Sequence, residues 1–175
     1  VDYKRLRAYR LARAMKSLEG TECGAFLLFD FYNIRYTTQT WVGGALGDKM
    51  SRYALLTRDG KPHIWDFGSA AKHHQLFAPW IEPGHSHAGM LGRGGASHQE
   101  VGLMKDAVKT IKGMLADAGV DHLPVGVDIV EPAFLFEMQA QGLLVIDIQQ
   151  DMLDARSIKN VDEIMLLSQA AAMVD

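Results

Sequence analysis

The chain has 175 residues, of which 48% are apolar, enough for one packed domain and little more. Its 18 Lys and Arg against 21 Asp and Glu give a net charge of −3, which favours neither nucleic acid nor an anionic membrane surface as a partner. One cysteine excludes an internal disulfide and fits a reducing, cytoplasmic setting, and no apolar run reaches the ~18 residues of a membrane span.

In chain order, Ala8, Leu11, Met15 and Leu18 recur at steps of three and four and predict a helix over Tyr3 to Leu18, stopped by Gly20. Ala25 to Phe29 is a continuous apolar run, read as a strand covered on both faces. Asn33 is read as the cap of a short helical turn over Ile34 to Tyr36, and a loop bearing Gly43, Gly44 and Gly47 follows. Arg52 to Thr57 and Lys61 to Phe67 are strand-like, and the Asp59-Gly60 pair between them predicts a hairpin. Ser69 is placed as the cap of a helix reaching Phe77. Residues 83 to 97 read as loop. Ser97 and Glu100 form a capping box for a helix whose stripe is Val101, Met104, Val108, Ile111 and Leu115, closed by Gly119.

Val125 to Val130 is a strand, Pro132 opens a helix that Gly142 ends, and Leu143 to Ile148 is another strand. Asn160 with Glu163 opens a last helix with the stripe Ile164, Leu167, Ala171 and Val174. Strands alternating with helices, plus a hairpin, predict an α/β fold: a mixed sheet with flanking helices. The domain is expected to occupy residues 1–154, with 155–175 forming a linker and the first helix of a further unit.

No side-chain set in the sequence assembles a catalytic or metal site by spacing alone. Cys23 reads as a small core residue. The pairs His73-His74 and His85/His87 lack the further ligands zinc requires and read as surface histidines. The run Gly92 to Ser97 resembles a phosphate cradle but lacks the Lys-Ser/Thr entry of a P-loop, so a nucleotide site around Gly94 is the weaker reading. Asp128 with Glu131, and Asp147, Asp151 and Asp154, stand where acids usually cap helices. Trp41, on the glycine-bearing loop, has the chemistry to close over a small ligand, and Arg52 beside it to grip a carboxylate; a loop-anchoring tryptophan and a surface-paired arginine are the plainer alternative.

Three strings in this order resemble the N-terminal domain of the creatinase and prolidase superfamily. They are Asn33-Ile34-Arg35-Tyr36 after a strand, the hairpin Arg52-Tyr53-Ala54-Leu55 with Trp65-Asp66, and Arg156-Ser157-Ile158-Lys159 followed by Asp162-Glu163-Ile164. The resemblance implies a ribonuclease H-like layered architecture, a homodimer, and a pita-bread catalytic domain holding a divalent metal (Mn, Fe or Zn) outside these 175 residues. It implies a cap over the partner's active site, with Arg52 and, less directly, Trp41 facing a small-molecule or dipeptide substrate. Hydrolysis of C–N bonds, of Xaa-Pro peptidase or creatinase type, is the expected chemistry. The dimethylsulfoniopropionate lyase branch and a stand-alone binding module are the alternatives.

Overall fold

The computed structural model describes residues 1–42, 49, 51–90 and 102–174. Thirteen elements are assigned among them, in the order α1 (Tyr3–Glu19), β1 (Ala25–Leu28), α2 (Phe31–Thr38), β2 (Tyr53–Thr57), β3 (His63–Asp66), α3 (Gly68–Phe77), β4 (Ser86–Ala88), α4 (Leu103–Asp117), β5 (Val125–Val127), α5 (Pro132–Ala140), β6 (Val145–Asp147), α6 (Gln149–Ser157) and α7 (Val161–Ala172). The strands form one mixed sheet in the order β4-β3-β2-β1-β5-β6. β1 pairs antiparallel with β2 and parallel with β5, and β5 with β6 and β3 with β4 are also parallel.

The central strand explains the layers. Side chains alternate across a sheet. Ala25, Leu27 and Phe29 therefore join Tyr53, Leu55, α4 and α5 in one core, while Phe26 and Leu28 join Ala54, Leu56, α1, α2 and α6 in the other. Each fully buried large apolar side chain contributes on the order of 1.5–3 kcal/mol. Two such cores make a three-layer α/β arrangement, as the alternation of elements predicts.

Several local expectations are corrected. In α1 the buried residues are Leu6, Ala14 and Leu18, and Ala8 is exposed. The inward stripe thus begins at Leu6 and lies to one side of the one read from spacing. Asn33 does not cap a turn: Asp30 does, accepting from the N–H groups of Tyr32 and Asn33, and α2 runs to Thr38. Ser69 lies inside α3, whose N-cap position is Phe67 without a side-chain bond. The segment expected to be loop contains β4, which extends the sheet past β3.

The hairpin is present, but its loop is longer than a two-residue turn. Gly60 N–H donates to the Thr57 carbonyl at 3.1 Å, Gly60 has φ +73°, and β3 begins only at His63. Asp59 accepts from the Thr57 hydroxyl at 2.6 Å and the Lys61 N–H at 3.1 Å, fixing the turn. Pro132 and the Asn160–Glu163 capping box stand where the sequence puts them. The expected Ser97–Glu100 box lies outside the described residues.

Candidate functional site

The strand-to-helix junction after β1 is tied down by one carboxylate. Asp128, just past β5, accepts from the N–H groups of Phe29 (2.7 Å), Asp30 (3.0 Å) and Ile129 (2.6 Å) and from Asn33 Nδ2 (2.9 Å). Burial pushes the Asp128 carboxyl above its usual range, against the pull of these donors. Two further residues of the same string are structural: Ile34 is in the core, and the Tyr36 hydroxyl donates to the Ala155 carbonyl at 3.2 Å. The Asn-Ile-Arg-Tyr string therefore locks β1 and α2 onto β5 and α6.

Arg35, the third residue of that string, points the other way and lies with its guanidinium 4.5 Å over the Trp41 ring. Gln39, with φ 54°, ends α2 in the left-handed region, so the chain turns there. The turn puts Thr40 inside and leaves Trp41 50% exposed. Thr38 Oγ1 donates to the Ile34 carbonyl at 2.8 Å and lies 2.7 Å from Thr40 Oγ1.

Behind Trp41 sits Arg52, which is 2% exposed. Its Nη2 donates to both Thr40 oxygens at 3.1 Å, and its Nη1 donates to Asp66 Oδ2. His74 Nε2 lies 3.0 Å from the same carboxylate oxygen, which can only accept while it faces Arg52, so the imidazole proton belongs on Nε2. Burial lowers the guanidinium below its ordinary pKa and Asp66 opposes that. Phe31 stands between the two expected site residues, its ring 4.9 Å from Trp41 and 5.9 Å from the Arg52 guanidinium. The structure thus brings Trp41 and Arg52 together, with Trp41 at the surface and Arg52 engaged in the interior.

Trp41 lines an open groove of about 760 Å³ between α2 and α7, together with Tyr32, Arg35, Arg156, Lys159 and Leu167. One wall is cationic and aromatic, the other apolar.

The remaining candidates disperse. His73 is exposed and His74 is buried on Asp66. His85 and His87 are not plain surface histidines. They stack with His63 at centroid distances of 3.7 and 5.3 Å, and His63 Nδ1 lies 3.0 Å from His87 Nε2. The sequence reading missed His63, although its place on the strand beside a His-x-His segment was a usable signal. Among the described residues, no three His, Cys, Asp or Glu converge as a metal site. Cys23 is buried, and burial raises its thiol pKa. Asp147 caps the Gln149 N–H at 2.9 Å, and Glu131 stands at the α5 N-cap without a side-chain bond. The phosphate-cradle run Gly92 to Ser97 lies outside the described residues.

Comparison with solved structures decides the fold. An Xaa-Pro dipeptidase from Bacillus anthracis superposes with a TM-score of 0.63 at 11% identity, over 93% of this chain and 39% of that one. A dipeptidase from Pyrococcus horikoshii gives 0.63 at 11%, over 95% and 41%. An Xaa-Pro aminopeptidase structure from Streptococcus pyogenes gives 0.59 at 15%, over 87% of this chain and 99% of that one. This is a creatinase/prolidase-type N-terminal domain fold. No family model matches the chain. A curated relative, the dimethylsulfoniopropionate lyase DddP of Roseovarius nubinhibens, is 26% identical over 174 residues. That match covers 95% of this chain, which spans only 37% of the relative's length. No helix among the described residues is long and apolar enough to cross a membrane.

Proposed function

We propose that the chain is the substrate-capping and dimerisation domain of a larger pita-bread enzyme. The observation that carries this reading is coverage: nearly the whole chain superposes on about two-fifths of two dipeptidases. The enzyme would be a homodimer and a metal-dependent hydrolase of C–N bonds in small polar substrates. Its ion would belong to the catalytic half. In this reading the protein works in the cytoplasm.

Within the cap, Trp41 offers an exposed ring to the partner subunit's substrate, and Arg35 holds that ring from one side. Arg52 adds positive charge behind it and fixes Thr40, the residue preceding Trp41. Direct contact of Arg52 with substrate requires the buried guanidinium, whose Nε has no hydrogen-bond partner among the described residues, to become accessible. α7 supports the presence of a catalytic half, because its apolar residues Ile164 and Leu167 are more than half exposed. A stand-alone module would be expected to fold these residues onto its own sheet.

A second reading, lyase chemistry on dimethylsulfoniopropionate, is favoured by the 26% identity to DddP. The two separate by product. A longer chain carrying this domain should release an amino acid from Xaa-Pro dipeptides under the first reading, and dimethyl sulfide with acrylate under the second. In the active form, Trp41→Ala should raise KM about tenfold with an unchanged melting temperature. Neither product, or unaltered kinetics in the variant, would remove the capping assignment.

A further inference from the structure

The groove beside α7 holds more positive charge than its own carboxylates neutralise. Arg35 is exposed and has no carboxylate partner among the described residues. Arg156 approaches Asp30 only at 3.8 Å, and its Nε is buried with no hydrogen-bond partner. Asp30 is already engaged by two N–H groups at the start of α2. Lys159 donates to the Arg156 carbonyl, so its charge is not neutralised by that contact. Glu163, the acid among the lining residues, is paired with Arg10 at 2.7 Å.

The cations are ordered by rings. Tyr32, Phe31 and Trp41 form a row with centroid spacings of 5.3 and 4.9 Å. Arg156 lies 5.8 Å over Tyr32 at one end and Arg35 lies 4.5 Å over Trp41 at the other. A guanidinium stacked on a ring keeps its N–H edge available for a carboxylate. The facing wall is aliphatic, with Leu166, Leu167 and Ala170 of α7.

We propose that this groove docks an acidic polypeptide segment with one apolar side, its carboxylates on Arg35, Arg156 and Lys159 and its apolar side on α7. The proposal rests on the capping-domain reading above, in which the segment belongs to the catalytic half. Polypeptide is favoured over a small ligand because α7 also exposes Ile164, the i−3 neighbour of Leu167 and itself outside the groove lining, so the apolar surface extends beyond the groove. It is favoured over nucleic acid because phosphates would leave that aliphatic wall wet, and because the whole chain carries a net charge of −3.

The test uses the 175-residue chain and a fluorescein-labelled amphipathic peptide with glutamate on one helical face and leucine on the other. Controls are its lysine counterpart and an oligouridylate. Arg35→Glu with Lys159→Glu is the variant, since both side chains are exposed and their reversal should leave the melting temperature in place. The glutamate peptide should bind, weaken with salt, and lose at least tenfold in affinity for the double variant, and the lysine peptide should show no preference for the wild type. Absence of glutamate-peptide binding, equal binding to the double variant, or tighter binding of oligouridylate would overturn the proposal. Failure here with catalysis intact in the longer chain discards only the groove assignment. Absence of catalysis with charge-dependent peptide binding discards the enzymatic reading and its link to the groove.

Discussion

Arg52 and Asp66 face each other because of the β2–β3 register, in which Tyr53 pairs with Trp65 and the next rung outward is Arg52 with Asp66. A two-residue turn at Asp59-Gly60 would have moved that register by one and put Asp66 opposite Tyr53. Side chains alternate across a sheet, so a shift of one sends Asp66 to the other face. The two partners were visible in the sequence, but the pairing was not, because it depends on the five-residue connection Arg58 to Pro62 that the Asp-Gly signal does not specify. Arg52→Ala strands Asp66 and His74 in the interior and should destabilise the chain by about 3–5 kcal/mol in urea unfolding. Trp41→Ala should change stability by no more than about 0.5 kcal/mol, since its ring is half-exposed. An Arg52 variant as stable as the wild type would show that the buried ion pair does not form.

At the scale of elements, β4 was the strand that spacing could not reveal. It is three residues long, lies between Gly84 and Gly89, and reads Ser-His-Ala, with none of the branched apolar residues that mark a strand. Tertiary contacts hold it. Ile64 N–H donates to the His85 carbonyl at 2.8 Å, and Gly89 N–H donates to the Asp66 carbonyl at 2.6 Å. A Cβ at Gly89 would fall 2.0 Å from the Ser51 carbonyl oxygen, so the end of β4 presses on the residue preceding Arg52.

The histidine stack makes this edge sensitive to acid. His63 is held down to about 4, first by burial and then by His85 and His87, with Asp59 opposing. Burial, then His85, lowers His87 as well. Lys61 and Glu82, 3.7 Å apart, are a further charged pair on the loops flanking β3 and β4. The folded state favours neutral imidazoles, so between the ordinary histidine value of 6.5 and about 4 the unfolded chain binds more protons. Stability is therefore fully present above that window and is lost as pH falls through it, by on the order of 1 kcal/mol once screening at a half-exposed site is allowed for. His63→Leu should flatten the dependence of the urea midpoint on pH in this range. Parallel curves for wild type and variant would place the acid sensitivity elsewhere.

Taken as a whole molecule, the body of the domain was more legible than its last helix. The alternation of apolar strands and amphipathic helices specifies layers from local pattern, and the two cores follow from the central strand. α7 has a start equally plain in sequence, the Asn160–Glu163 box, and the same kind of apolar stripe, yet it buries Asp162 and Glu163 and exposes Ile164 and Leu167. Spacing identifies an apolar face but not the surface it meets, and the arginines of α1 decide the outcome. Arg5 grips Asp162 at 2.7 and 2.9 Å, and Arg10 holds Glu163 at 2.7 Å.

α6 runs on to Ser157, so only Ile158, Lys159 and Asn160 join it to α7. Attachment of α7 thus runs through its first turn and two arginines, which makes it separable from the sheet. Arg5, followed by the Asp2 N–H, holds the Asp162 carboxyl at about 2, below its ordinary 3.8. A carboxylate lowered in the fold contributes stability that is present above 3.8 and lost as pH falls towards 2. At pH 5, then, the histidine edge has weakened while α7 is still held. Asp162→Ala should reverse that order at neutral pH, with limited proteolysis cutting α7 at least tenfold faster while amide protection in β1 and β2 stays as in the wild type. If α7 resists the protease as before, the arginine pairs are not what attaches it. If β1 and β2 lose protection too, α7 belongs to the same cooperative unit as the sheet.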